Sequence, residues 1–166
     1  QSKSGKGFWI FIRRLGSEMD AVFLKKTIDA VMRTEGFVRK GSSWCLSSEE
    51  VVACLALRKS THGNYFYLDV SASLIVGGQK TAVASLSMNA LKLVMEDSDR
   101  DILAQALDIG LNSTVCPLIF TEVMRSRVLM VCKNYSRLDY LRQAYKEKLF
   151  DGALIGWKMR EVLEGG

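Results

Sequence analysis

Few side chains in this chain of 166 residues could carry acid–base or nucleophilic chemistry, and their spacing limits which chemistry is open. His62 is the one histidine and stands in the turn Thr61-His62-Gly63-Asn64, where a solvated loop imidazole is a simpler account than a general base. Cys45, Cys54, Cys116 and Cys132 form no C-x-x-C pair and no clustered ligand set, so no metal is expected. Their segments read as strand or apolar helix, which points to reduced, mostly buried thiols of a cytoplasmic protein. A nucleophile built from Cys45 or Cys54 with His62 needs the intervening hairpin to bring thiol and imidazole together. Gly77-Gly78-Gln79-Lys80-Thr81 lacks the long Walker spacing and a strand-to-helix frame, so it reads as a turn. No catalytic residue, metal ligand or cofactor is assigned.

Binding chemistry is better represented. Tyr65, Tyr67 and Asp69 alternate along one stretch, and Arg58 faces them across a short turn. Trp44 is placed with this group as a further aromatic. Tyr, Trp and Arg anchor protein interfaces without needing a reactive group, so Trp44, Arg58, Tyr65, Tyr67 and Asp69 are the candidate partner-binding residues. Arg39, Lys40, Arg58 and Lys59 beside Tyr65, Tyr67 and Trp44 also suit single-stranded nucleic acid, which is the alternative.

These residues are positioned by the alternating stretch 64–76. Phe66, Leu68, Val70, Ala72, Leu74 and Val76 fall on one side; Tyr65, Tyr67, Asp69, Ser71 and Ser73 fall on the other. That period describes a long strand with one buried and one wetter face. Before it, the runs 37–40, 44–47 and 51–59 are separated by turn residues and read as a meander of hairpins. Val51, Ala53, Leu55 and Leu57 would share the core side, which puts Arg58 near Tyr65 or Tyr67. A helix is expected over 21–35, capped by Asp20, striped by Leu24, Ile28, Val31 and Met32, and stopped by Gly36, with Lys25, Lys26, Asp29 and Arg33 outward. After the Gly77-Gly78 break, Val83, Leu86, Leu91, Leu93 and Met95 fit two further strands or one helix; strands near 82–86 and 90–95 are preferred. Helices follow: one capped by Ser98 with Asp101, one opened by Pro117, one capped by Ser136 with Asp139, and one over 152–163. Helix, strands, then helices argue for an α+β domain, an antiparallel sheet of four to six strands with helices packed on one face.

Composition bounds the rest. With 48% hydrophobic residues, one domain of this length can bury an adequate core. The net charge of +5 suggests nucleic acid, but Lys3, Lys6, Arg13 and Arg14 against Glu18 supply four of the 23 bases and one of the 18 acids. Residues 19–166 therefore carry 19 bases and 17 acids, a mixed solvating surface. Gly16-Ser17-Glu18 before Met19 resembles a vector junction, so 1–18 is read as an appended leader and 19–166 as the domain. The aromatic-rich leader run 7–15 is no signal peptide, and no apolar run has the length of a membrane span.

Phe23, Lys25 and Ile28, the run Gly36-Phe37-Val38-Arg39-Lys40-Gly41 with Trp44, the stretch Val51–Lys59, and Asn64-Tyr65-Phe66-Tyr67-Leu68-Asp69 together resemble a bacterial domain-of-unknown-function family, number 4304. The resemblance covers about residues 19–76. It implies a small cytoplasmic α+β protein and carries no catalytic residues. Proteins of this general build are also similar to immunity proteins of bacterial toxin systems, small binders whose partner is a toxin. The function expected is a non-catalytic protein-binding module of immunity or antitoxin type.

Overall fold

The structure is a computed structural model that describes residues 21–109 and 115–165; the 1–18 leader and the Asp20 cap lie outside the described residues. Helix α1, Ala21–Arg33, buries Leu24, Ile28, Val31 and Met32 as their spacing requires. It ends in a Schellman turn: Gly36, at φ 82°, donates to the Arg33 carbonyl and Phe37 to that of Met32. Strands β1 (Val38–Lys40), β2 (Ser43–Ser47), β3 (Val51–Lys59), β4 (Phe66–Val76), β5 (Gln79–Asn89) and β6 (Leu154–Ile155) form one sheet in sequence order. Every neighbouring pair is antiparallel. The α+β class and the six-strand antiparallel sheet agree with the expectation.

Gly77 and Gly78 join β4 to β5 at φ 60° and 77°, the two-residue turn whose twist matches antiparallel strands. Past the turn the register shifts between Ser73 and Ile75, so β5 bulges opposite them. The strand expected at 90–95 does not form. β5 stops at Asn89, whose side-chain oxygen accepts from the Leu91 amide and caps a single helical turn, α2 (Ala90–Leu93). Ala and Leu favour that turn once a cap is present.

The helical half begins with α3 (Asp97–Leu107), whose N-cap is Glu96 rather than Ser98. Pro117 opens α4 (Pro117–Val123), which runs through a π-helical turn, Met124–Val128, into α5 (Leu129–Tyr135). Ser136 does not cap α6 (Leu138–Lys146) but donates back to the Lys133 carbonyl, closing α5. The last expected helix is shorter, α7 (Trp157–Glu164), because Leu154 and Ile155 pair with Ser87 and Leu86 of β5. No helix of the described residues is long and apolar enough to cross a membrane.

All these helices pack on one side of the sheet. Leu55, Leu68, Val70 and Leu86 meet Ile28, Leu103, Phe120, Leu141 and Met159 in one core, each wholly buried. Burying such a side chain contributes about 1.5–3 kcal/mol. Trp44 belongs to this core at 0% exposure, which removes it from the wetter face. Its indole donates 2.9 Å to Asp29 Oδ1. Asp29 therefore turns toward the sheet rather than outward, and also holds Arg33 Nε at 2.9 Å and Arg39 at 4.0 Å. The Arg39 guanidinium lies 5.6 Å from the centre of the Trp44 ring.

The cysteine expectation is overturned for one pair. Cys45 and Cys54 are direct partners on β2 and β3 and form a disulfide; Cys116 is free and exposed, Cys132 free and buried. Spacing gave no hint, because two strands joined by a short turn bring together whichever residues the register dictates. The disulfide also removes the thiol argument for a reducing compartment.

Three outcomes are expected. Thiol labelling of the native protein should modify Cys116 alone, denaturation without reductant should add Cys132, and four reactive thiols in unreduced protein would show that the disulfide is absent. Asp29→Ala should cost about 1–3 kcal/mol in a denaturant melt, because it leaves the buried indole N–H without its acceptor. The Trp44 hydrogen bond, then that of Arg33, holds the Asp29 carboxyl below its ordinary value of 3.8. A depressed carboxyl stabilises the fold fully above its unfolded pKa and loses that contribution as pH falls through the folded one. Asp29→Asn should accordingly flatten the acid limb of the stability curve, and an unchanged limb would remove this assignment.

Candidate binding face

On the side of the sheet away from the helices, register rows can be followed from strand to strand. One row runs Val38, Cys45, Cys54, Ser71, Ser87, Leu154, and the next Lys40, Ser43, Ala56, Asp69, Asn89. A third carries Ser47, Val52, Ser73 and Ser85. Directly paired residues share a face, so this is a polar surface of serines and asparagine around a small apolar cluster of Cys45, Val52, Cys54 and Ile75. Among the described residues, no helix contributes to that cluster. Lys80 Nζ stands 3.9 Å from Cys54 Sγ.

Arg58, Tyr65, Tyr67 and Asp69 gather at one end of the face. Arg58 pairs with Tyr67 in register and its guanidinium lies 4.5 Å from the centre of that ring. The same guanidinium reaches Asp69 Oδ2 at 3.0 Å, with the Arg58 side chain 61% exposed. Tyr67 Oη donates to Tyr65 Oη at 3.0 Å, and the two rings meet edge-on at 5.2 Å. The expectation that Arg58 lies beside the tyrosines therefore holds, and Asp69 completes the group. Stacking and ion pairing fix the guanidinium in place, so little side-chain freedom is left to lose on binding.

The turn 60–65 supports Tyr65 from below. Ser60, almost buried, receives the His62 amide at its hydroxyl and donates its own amide to the Tyr65 carbonyl. Hydrogen bonds from Ser60 and from Tyr67 lower the Tyr65 phenol below its ordinary 10.0, because both favour the phenolate. Tyr67, the donor of the pair, is shifted upward by the same bond, against the opposing pull of Arg58. Gly63 is needed here: a Cβ would stand 2.9 Å from a Tyr65 ring carbon. Backbone pairing of Tyr65 with Asp108 ties the turn to the end of α3.

Trp44 does not join this group, since it faces the helices. On β2, Trp44 and Leu46 point one way and Ser43, Cys45 and Ser47 the other. The nucleic-acid arrangement loses the same aromatic, and Arg39 and Arg58 are both engaged with carboxylates. The Cys–His idea fails on two grounds. Cys54 is in the disulfide, and it lies five residues up β3 from Lys59, about 16 Å of strand, before the turn holding His62 begins. Two contributors were not expected from sequence, the exposed apolar side chains Val38 (60%) and Leu154 (79%) at opposite rims of one row.

The fold and this face define an α+β protein with a sheet covered by helices on one side and presenting an ordered polar surface on the other. No protein-family model, curated protein or solved structure matches the chain.

Tyr67→Phe removes the donor to Tyr65 and should raise the pH at which Tyr65 ionises, followed by phenolate absorbance or carbon NMR of labelled tyrosine. An unchanged Tyr65 titration would show that the two phenols are not bonded in solution.

Proposed function

We propose that this protein is a non-catalytic protein-binding module, of immunity or antitoxin type, that docks its partner on the outer face of the sheet. The observation that carries this reading is the group of Arg58, Tyr67, Tyr65 and Asp69, pre-ordered by a stacked guanidinium and an ion pair on a face without helical cover among the described residues. Arg and Tyr held in one conformation are the side chains that contribute most to protein interfaces. The exposed Val38 and Leu154 supply apolar contacts at the rims, and the serine rows between them offer hydrogen-bonding partners without steep desolvation cost.

The test compares capture from a lysate of the native cells by the wild-type chain and by a Tyr67→Ala, Asp69→Ala variant, with high-salt washing and nuclease treatment in parallel. A protein that survives both treatments, is lost from the variant, and protects β3 to β5 from amide exchange in the purified complex is the expected result. The variant should keep its stability to within about 1 kcal/mol, since the pair it removes lies at the surface. Retention of the partner by the variant would remove the face from the interaction. Recovery of nucleic acid that salt releases would replace the reading with the alternative.

A further inference from the structure

A second site lies on the helical side, where the end of α6, the loop to β6 and helix α7 enclose a cleft of about 710 Å³. Lys146, Lys148 and Arg160 line it above an apolar floor that includes Phe150, Ile155 and Leu163. A Cβ on Gly152, which also lines the cleft, would stand 3.6 Å from Lys92 Nζ, so a fourth cation reaches its rim. Two carboxylates, Asp151 and Glu164, complete the charged lining.

Three observations single out these cations. First, the other arginines among the described residues each hold a carboxylate or a backbone carbonyl. Among the described arginines, Arg160 is the one whose side chain makes neither an ion pair within 4.0 Å nor a hydrogen bond, although Glu164 lines the same cleft. Glu164 is instead held by the Tyr145 hydroxyl at 2.8 Å. Second, residues 19–166 carry 19 bases and 17 acids; removing these four bases and two acids leaves 15 of each sign, so the cleft holds the whole cationic excess.

Third, Lys148 stands where a glycine is usual. α6 ends in the same Schellman turn as α1, with Lys148 donating to the Tyr145 carbonyl and Leu149 to that of Ala144. At that position α1 uses Gly36, whereas α6 holds Lys148 at φ 59°, the one non-glycine with positive φ among the described residues. Lysine at this position keeps an ammonium group in the cleft lining at a backbone cost that glycine would avoid.

From this arrangement we propose that the cleft binds a small organic oligophosphate, a ligand with two or more phosphate charges joined to a flat or apolar body. Guanidinium forks and ammonium groups pair with phosphate oxygens, and against four cations and the two carboxylates Asp151 and Glu164 a ligand with a single negative charge would leave one positive charge over. The volume suits a small molecule, and the apolar floor accepts its body. A long nucleic acid is a poorer match, because its backbone would pass Asp151 and Glu164 onto surface of no net charge.

Calorimetric titration of the full chain at low salt with pyrophosphate, ADP and adenosine tests this. Pyrophosphate and ADP should bind at one site with affinity that falls as salt rises, and adenosine should not bind measurably. Arg160→Gln and Lys148→Gly should each weaken ADP about tenfold, the loss of one charge-assisted contact. Lys148→Gly should do so with an unchanged or raised melting temperature, because glycine relieves the left-handed backbone; this separates lost binding from lost folding. Arg58→Gln, on the other face, should leave the affinity as it is. The proposal is overturned by absence of heat with ADP and pyrophosphate up to the order of 10 mM, by adenosine binding without pyrophosphate binding, or by ADP affinity that both cleft variants leave unchanged.

Discussion

The two-residue period of β3, β4 and β5 is the constraint from which the rest follows. Because successive side chains leave a strand on opposite sides, the core residues Val51, Ala53, Leu55 and Leu57 necessarily place Val52, Cys54, Ala56 and Arg58 on the other face. β4 obeys the same rule with Leu68 and Val70 inward and Tyr67 and Asp69 outward. Among the described residues the helices pack on the inward face alone, which leaves the outward one uncovered by them. A slip of one residue would bury Arg58 and Asp69 and expose the leucines, which is why the register is strongly specified.

The edge of the sheet is secured by two different devices on its two faces. On the inner side Asp29 of α1 accepts the Trp44 indole N–H and gathers Arg33 and Arg39, locking the first helix to β2 through a part-buried carboxylate. On the outer side the Cys45–Cys54 disulfide joins β2 to β3 at the next residue along. A charge-assisted hydrogen bond resists loss of the helix, and a covalent link resists separation of the strands. Together they hold the short β1–β2 hairpin, which has few buried residues of its own.

β6 connects the outer face of the sheet with the cleft. It is only two residues long, yet Leu154 emerges at the rim of the outer face while Ile155 turns toward the cleft beneath α6 and α7. The outer face is ordered by pairing within itself, Arg58 to Asp69 and Tyr67 to Tyr65. The cleft is the reverse: among the described residues its cations form no ion pair within 4.0 Å, although Asp151 and Glu164 share the lining. An internally satisfied polar surface suits a broad, complementary protein contact, whereas unpaired cations over an apolar floor suit a small anion.

Local signals were enough for the elements whose logic is local. The alternation of 66–76 specified β4 and its two faces, Gly36 and the Gly77-Gly78 pair specified a helix end and a hairpin, and Pro117 marked the start of α4. The neighbourhood of Arg58 with Tyr65 and Tyr67 followed, because a short turn between alternating runs determines which residues meet. Beyond that, sequence spacing fell silent. A five-residue strand with apolar residues of both parities left the side of Trp44 open, and only the packing of α1 against the sheet, with Asp29 supplying the acceptor, turned the indole inward. The disulfide depends on β2–β3 register, the pairing of Leu154 and Ile155 on a strand some seventy residues earlier in the chain, and the cleft on the approach of α6 to α7. Strand period and turn type are encoded within a few residues, but which distant side chains become neighbours is decided by burial of the whole apolar face, and that exists only once the chain has folded.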